Sequence, residues 1–437
     1  MSQNKTGNYR WVVVALLFFA TTINYLDRQV LSYLKPTLEK EFGWDNITYG
    51  YISGVFQLFY AAGLLLSGRV IDKVGTKIGY IASITVWSVA AMLHAFAKTS
   101  VGFIAARGLL GIGESGNFPA AIRTVAEWFP KKERAFATGI FNSGANIGAV
   151  TAPILIPLIL GLYGWQAAFI VTGAIGFIWL AFWIIFYEIP SKKKNMDPGE
   201  YALINDDAAT EIAADAKISW GKLFQFKQTW AFVIGKFLTD PIWYFFLTWL
   251  PDYFNKTFHL DLTKPTMPLI VIYTATTIGS IGGGYISSYL IKKGWAPLKA
   301  RKTSMLIFAL CVVPIISARY ATDIWQAVGL ISLAAAAHQA WSANLYTAVS
   351  DNFPKSSVSS VIGIGGMAGS FSGFIFPVVI GYILEAYTKQ GNVTIGYNLV
   401  FLFCGIAYLL AWIISLIWFS PKFLNIPDFS LSRCASS

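Results

Sequence analysis

Ionisable residues are rare in the long apolar blocks of this sequence, and the few present recur at helical spacings. The run Asn24–Tyr25–Leu26–Asp27–Arg28 lies about halfway along the first block. Tyr25 and Arg28 are i, i+3 and share a helix face. In the fourth block Arg107, Gly111 and Glu114 recur at i, i+4, i+7, among Gly108, Gly113 and Gly116. Those glycines let a neighbouring backbone come close, and the stripe aims an acid and a base inward. In the seventh block Lys236 and Asp240 are i, i+4, with Pro241 beside them as an expected helix breaker. A charge at the centre of a membrane-spanning helix costs about 2.5–3.5 kcal/mol, so each should face a cavity or a partner. Asp27, Arg28, Arg107 and Glu114 together fit a proton and anion site, and they also fit a structural ion-pair network. Lys236 and Asp240 can satisfy one another across a turn.

Neutral polar residues also sit inside apolar blocks. Tyr60, Asn142, Asn146, Asn344 and Tyr346 fit a sugar-binding surface, with amides for directed hydrogen bonds and aromatic faces for C–H packing. Each also fits an interhelical hydrogen bond. His338, beside Gln339, reads as a packing histidine with its hydrogen bonds met. Gly363–Ile364–Gly365–Gly366–Met367–Ala368–Gly369 lacks the preceding strand and following Lys-Ser/Thr of a phosphate loop, and is read as a bending helix. Cys311, Cys404 and Cys434 have no metal-site or disulfide spacing, and no metal or cofactor is expected.

The elements that must position these groups are membrane helices. Charged residues make up 13% of the 437-residue chain, against about a quarter in soluble globular proteins. An ordinary cytosolic enzyme, a disordered chain and a disulfide scaffold are thereby excluded. Twelve spans are predicted, at approximately 11–34, 48–68, 78–97, 101–123, 136–161, 165–188, 228–254, 268–291, 302–319, 323–350, 357–385 and 396–420. The first is read as retained rather than cleaved, because it holds Asp27 and Arg28 and has no small-x-small site. The polar stretch 189–227 marks a linker, which divides the chain into a six-helix bundle at 1–190, a cytoplasmic linker at 191–227, and a second bundle with tail at 228–437. With the N-terminus inside, 23 of the 33 basic residues face the cytoplasm, 7 face out and 3 lie in spans. That bias predicts both termini in the cytoplasm. It also explains the net charge of +11, which faces an anionic leaflet rather than nucleic acid.

An internal repeat supports two halves. Val125–Ala126–Glu127–Trp128–Phe129–Pro130–Lys131 recurs as Val349–Ser350–Asp351–Asn352–Phe353–Pro354–Lys355, an offset of 224 that also carries Gly139 onto Gly363 and Pro153 onto Pro377. The connection Gly68–Arg69–Val70–Ile71–Asp72–Lys73–Val74–Gly75–Thr76–Lys77 resembles the loop signature of the major facilitator superfamily, with Thr76 replacing one basic residue. Further stretches resemble the anion:cation symporters within it, and among these the bacterial hexuronate transporters. They are Asn24–Arg28, Ala126–Pro130, Phe141–Asn146, Gly235–Trp243, His338–Leu345 and Gly363–Gly369.

That resemblance implies an all-α major facilitator fold of twelve helices in two six-helix bundles. It also implies a multi-pass monomer in the bacterial inner membrane that imports galacturonate or glucuronate with protons. The carried-over roles are Arg28 for the substrate carboxylate and Asp27 and Glu114 for protons, with Tyr25 and Tyr60 lining the pocket. On their own chemistry, Arg107 is expected in the proton site and Asn142, Asn146, Lys236, Asn344 and Tyr346 in the substrate site. Substrate on Arg28 would then release Asp27 and favour its protonation. Ala145, Lys236, Tyr346 and Gly366 depart from galactonate-type relatives, which points away from galactonate. The alternatives are another sugar-acid symporter or an organic anion/phosphate exchanger. An embedded enzyme lacks a triad, metal spacing or nucleotide loop, and a sensor lacks a soluble output domain.

Overall fold

The computed structural model describes residues 7–194, 196–205, 220–353 and 355–419. The side chains of Arg69, Asp72 and Lys355, with Pro354, linker residues 195 and 206–219, and Cys434, lie outside the described set. The first half runs α1 (Tyr9–Phe42), α2 (Asn46–Val74), α3 (Thr76–Leu93), α4 (Ser100–Glu114), α5 (Asn117–Trp128), α6 (Lys131–Tyr163) and α7 (Trp165–Phe186). Two short helices, α8 (Pro198–Asn205) and α9 (Trp220–Leu223), lie in the linker. The second half runs α10 (Lys227–Thr248), α11 (Leu250–Phe258), α12 (Met267–Lys292), α13 (Pro297–Val312), α14 (Ile324–Asn352), α15 (Lys355–Lys389) and α16 (Val393–Trp418).

Among the described residues, nine helices are long and apolar enough to cross a membrane. The remaining three traverses are α4 with α5, α10 with α11, and α14, and these carry Arg107, Glu114, Lys236, Asp240, His338, Asn344 and Tyr346. Side chains on the described helices explain their ends. Asp45 accepts the Thr48 N–H at 2.7 Å, Thr99 that of Gly102 at 3.2 Å, and Asp323 that of Trp325 at 2.8 Å. Gly43 and Gly75 turn the chain at φ 65° and 85°, where a side chain would be strained.

Two expectations change. The fourth span is interrupted at Ser115–Gly116, directly after Glu114. Pro241, in contrast, stays inside α10, which continues to Thr248. A proline removes one backbone hydrogen bond, which packed neighbours in a membrane bundle can replace.

The two halves meet at one end of the bundle, opposite the first turn of α1 and the last turn of α16. There the backbone carbonyls of Pro377 and Phe374 on α15 press against Gly50 and Gly54 of α2, within 2.6 and 2.7 Å of where a Cβ would stand. The Tyr49 hydroxyl donates to the Thr248 carbonyl at 2.6 Å, and the Thr266 N–H to that of Pro153 at 3.0 Å. At the other end Gly68, Gly139 and Gly363 have nothing among the described residues within 4 Å of a Cβ position. The halves are thus sealed at the first of these ends.

A charge cluster holds the sealed end. Lys35, expected outside the first span, is the wholly buried continuation of α1. Its Nζ lies 2.8 Å from Asp252 across the halves and 2.5 Å from Glu39 on its own helix. Lys256 reciprocates, 3.4 Å from Glu39 and 3.6 Å from Asp252. The Tyr397 hydroxyl donates to Asp252. Each half contributes one i, i+4 pair, so every charge has a partner on its own half and one across the seam.

Candidate functional site

Arg28 is the centre of the site. It projects from mid-α1 and is 8% exposed. Its Nε donates to Glu114 Oε2 at 2.6 Å, and Glu114 is wholly buried as the last residue of α4. Three ring faces enclose the guanidinium, those of Tyr25 and Tyr60 at 4.7 Å each and Phe56 at 5.1 Å. Aromatic faces hold a cation without neutralising it. Among the described residues Glu114 takes only the Nε donor, which leaves the guanidinium's other N–H groups to meet an anion.

Arg107 lies one stripe behind. Its Nη2 donates to the Arg28 carbonyl at 2.7 Å and its guanidinium stands 5.1 Å from the Phe56 ring. Its Nε and Nη1 have no protein hydrogen-bond partner among the described residues. The glycine expectation holds at Gly111, where a Cβ would come 2.5 Å from the Phe56 carbonyl. α4 therefore lies directly on α2, and Arg107 and Glu114 reach α1.

Asp27 does not pair with Arg28. Successive helix residues point about 100° apart, and Asp27 is buried with the Thr172 side chain, Glu114 and Arg107 as its neighbours. The acid paired with Arg28 is therefore Glu114, and not Asp27 as the sequence reading had it.

The second half supplies a matching cation. Lys236 Nζ is 2.7 Å from Asp240 and 2.9 Å from the Tyr346 hydroxyl, and 4.6 Å from that ring's centroid. The glycines of α15 make room for this row. Phe232, Asp240 and Tyr244 of α10 face Gly365, Gly369 and Gly373, where added Cβ atoms would come within 2.2, 2.1 and 2.5 Å. Within the Gly363–Gly369 run, Gly365 and Gly369 thus serve close packing against α10.

The other expected residues divide. Asn344 is buried and its amide donates to the Gly283 and Ala340 carbonyls at 2.9 Å each, which makes it an interhelical bond rather than a pocket wall. A Cβ on Gly283 would stand 2.3 Å from Ala340, and that close approach of α12 brings its carbonyl within reach. Asn142 is exposed and Asn146 half-buried on α6, away from the Arg28 pair's direct contacts. His338 stacks on Trp243 at 5.4 Å, with Nδ1 2.5 Å from the Tyr408 hydroxyl, a packing histidine as expected. Sequence reading missed Ser53, Gln57, Tyr244 and Thr248, which line a small cavity with Arg28 and Arg107 between the halves. Gln57 stands one turn before Tyr60, and that spacing was the available signal.

Two helical halves, joined at one end and enclosing paired charges, define a multi-pass membrane transporter and not an enzyme. Residues 17–377 match the model of the Major Facilitator Superfamily, and the chain belongs to that family. The chain is 31% identical over 400 residues to the hexuronate transporter of Escherichia coli (strain K12), covering 91% of each protein. It is 31% identical over 284 residues to the galacturonate transporter of Dickeya chrysanthemi, covering 64% of this chain and 82% of that protein. Its fold is similar to a solved bacterial homolog of the human lysosomal transporter Spinster, with a TM-score of 0.76, 19% identity, and 95% of this chain and 100% of that one covered.

Proposed function

We propose that this chain is a sugar-acid transporter of the bacterial inner membrane that imports a hexuronate, galacturonate or glucuronate, together with protons by alternating access. The observation that carries the reading is the buried Arg28–Glu114 pair, at 2.6 Å, with Arg28 lining the cavity between the halves. The hexuronate and galacturonate relatives support the substrate class.

Charge balance supports the coupling. Arg28, Arg107 and Lys236 face Asp27, Glu114 and Asp240, three cations against three acids. A uronate adds one negative charge to a buried set that is already neutral. An uncompensated charge in such a place is expensive, so one acid must take a proton. Glu114 is the acid that the incoming carboxylate displaces from Arg28, and its other oxygen has no hydrogen-bond partner among the described residues. Asp27 is a second proton carrier beside it, and Arg107 sets the field on both. Importing a monoanion into an inside-negative cell costs about 2.3 kcal/mol per 100 mV, and one accompanying proton removes that cost.

Tyr25, Tyr60 and Tyr346 supply ring faces, Lys236 a second donor from the opposite half, and Asn142 and Asn146 amides on α6. The excess of basic residues on the side of the termini favours both ends in the cytoplasm. The sealed end then faces out and the opposite end faces in. Monomers suffice for this cycle, because both walls come from one chain.

Counterflow in proteoliposomes tests the reading. Vesicles loaded with unlabelled galacturonate should draw in labelled galacturonate, and vesicles loaded with inorganic phosphate should not. Exchange with phosphate, or none with either uronate, would replace this reading with that of an organic anion/phosphate exchanger or another carrier.

A further inference from the structure

We propose that Gln57 hydrogen-bonds a hydroxyl of the transported acid and so sets which sugar epimer the chain prefers. The inference rests on the sugar-acid reading and adds a specificity residue to it. Gln57 is 5% exposed, and its Oε1 has no protein hydrogen-bond partner among the described residues. Burying an amide acceptor unpaired is costly, and an apolar side chain of similar size would avoid the penalty. The side chain lines the same cavity as Arg28. On α2 it lies between Phe56 and Tyr60, the two residues of that helix whose rings face the Arg28 guanidinium.

The opposite wall of that small cavity comes from the second half, where Tyr244 and Thr248 of α10 line it. Gly373 of α15 stands where a Cβ would come 3.1 Å from Gln57 Cγ and 2.5 Å from the Tyr244 ring. Glycine there lets the amide and the ring face each other. Chemistry then divides the work. A guanidinium suits a carboxylate, which takes donors only. An amide offers a donor and an acceptor together, as a hydroxyl requires. With the carboxylate on Arg28, Gln57 meets the ring hydroxyls. Galacturonate and glucuronate differ only in the direction of one hydroxyl, and a buried polar group left unpaired by the wrong epimer discriminates between them.

The test is the KM for each uronate in proteoliposomes, for the wild type and for Gln57→Leu. The ratio of the two KM values should change by about fivefold or more, the scale of one hydrogen bond. The ratio does not depend on how much folded transporter is present, and Gln57→Met is a second replacement if leucine does not pack. Both KM values unchanged within twofold, or both moved by the same factor, would overturn the inference while leaving the transport reading intact. A wild type that carries neither acid sinks the transport reading first, and this inference with it.

Discussion

Replacing Lys35 with methionine should unlock the sealed end of the transporter. The ammonium is wholly buried and bridges α1 to Asp252 of α11 at 2.8 Å. Removing one partner of a buried pair typically costs about 3–5 kcal/mol. Here Asp252 keeps the Tyr397 hydroxyl and Lys256 at 3.6 Å, which offsets part of the loss. The bond from Lys35 to Glu39 lies within one helix and survives opening, so its loss affects sealed and open states alike. About 2 kcal/mol is left acting on the sealed state alone, a shift of about 30-fold in the ratio of open to sealed. Ser53 lines the cavity behind the seal. Ser53→Cys, in a background with the native cysteines replaced by serine, gives an impermeant maleimide a target. Labelling from the sealed side should speed up about 30-fold in Lys35→Met. The double variant Lys35→Met/Asp252→Asn should deviate from the sum of the singles, as contacting residues do. An unchanged or slower labelling rate in Lys35→Met would show that the cluster does not hold the halves together.

Other outcomes follow from the same geometry. Gly369→Ala should drive Asp240 Oδ2, now 2.1 Å from the Cβ position, off Lys236 and lower the thermal midpoint by several degrees; Gly366→Ala, with nothing within 4 Å, should not. In the linker, Asp197 accepts the Gly7 and Glu200 N–H groups at 2.9 and 2.8 Å, and the Gly7 bond, then the Glu200 bond, holds its carboxyl below the usual range. A depressed folded value means the contact stabilises docking above the ordinary carboxylate range and is lost as pH falls through the depressed value. Limited proteolysis of the linker should therefore accelerate on acidification, and Asp197→Asn should already show the fast rate at neutral pH.

The class of fold was legible because bilayer thickness dictates the length of an apolar helix. The site was legible where a charge in an apolar block demands an explanation, as at Arg28, Glu114 and Lys236. Pairing was not legible. Asp27 is next to Arg28 in sequence, yet helix geometry turns it away and brings Glu114 from another helix instead. Asn344 illustrates the same limit, because its amide serves whichever backbone comes near, and α12 comes near only through Gly283. The sealing cluster was hidden by placing the end of the first span at 34, which put Lys35 in a loop when α1 runs on to Phe42. Gln57 was overlooked because its one signal, a place one turn before Tyr60, is shared by many helix residues that carry no function.

The most direct test of a shared anion and proton site is uptake by Glu114→Gln in proteoliposomes under an imposed inward proton gradient. Each pH unit supplies about 1.36 kcal/mol per coupled proton, so two units allow the wild type about 100-fold accumulation of galacturonate for one proton. The account predicts that Glu114→Gln still exchanges labelled for unlabelled galacturonate and accumulates none. Concentrative uptake by that variant at the wild-type level would contradict it.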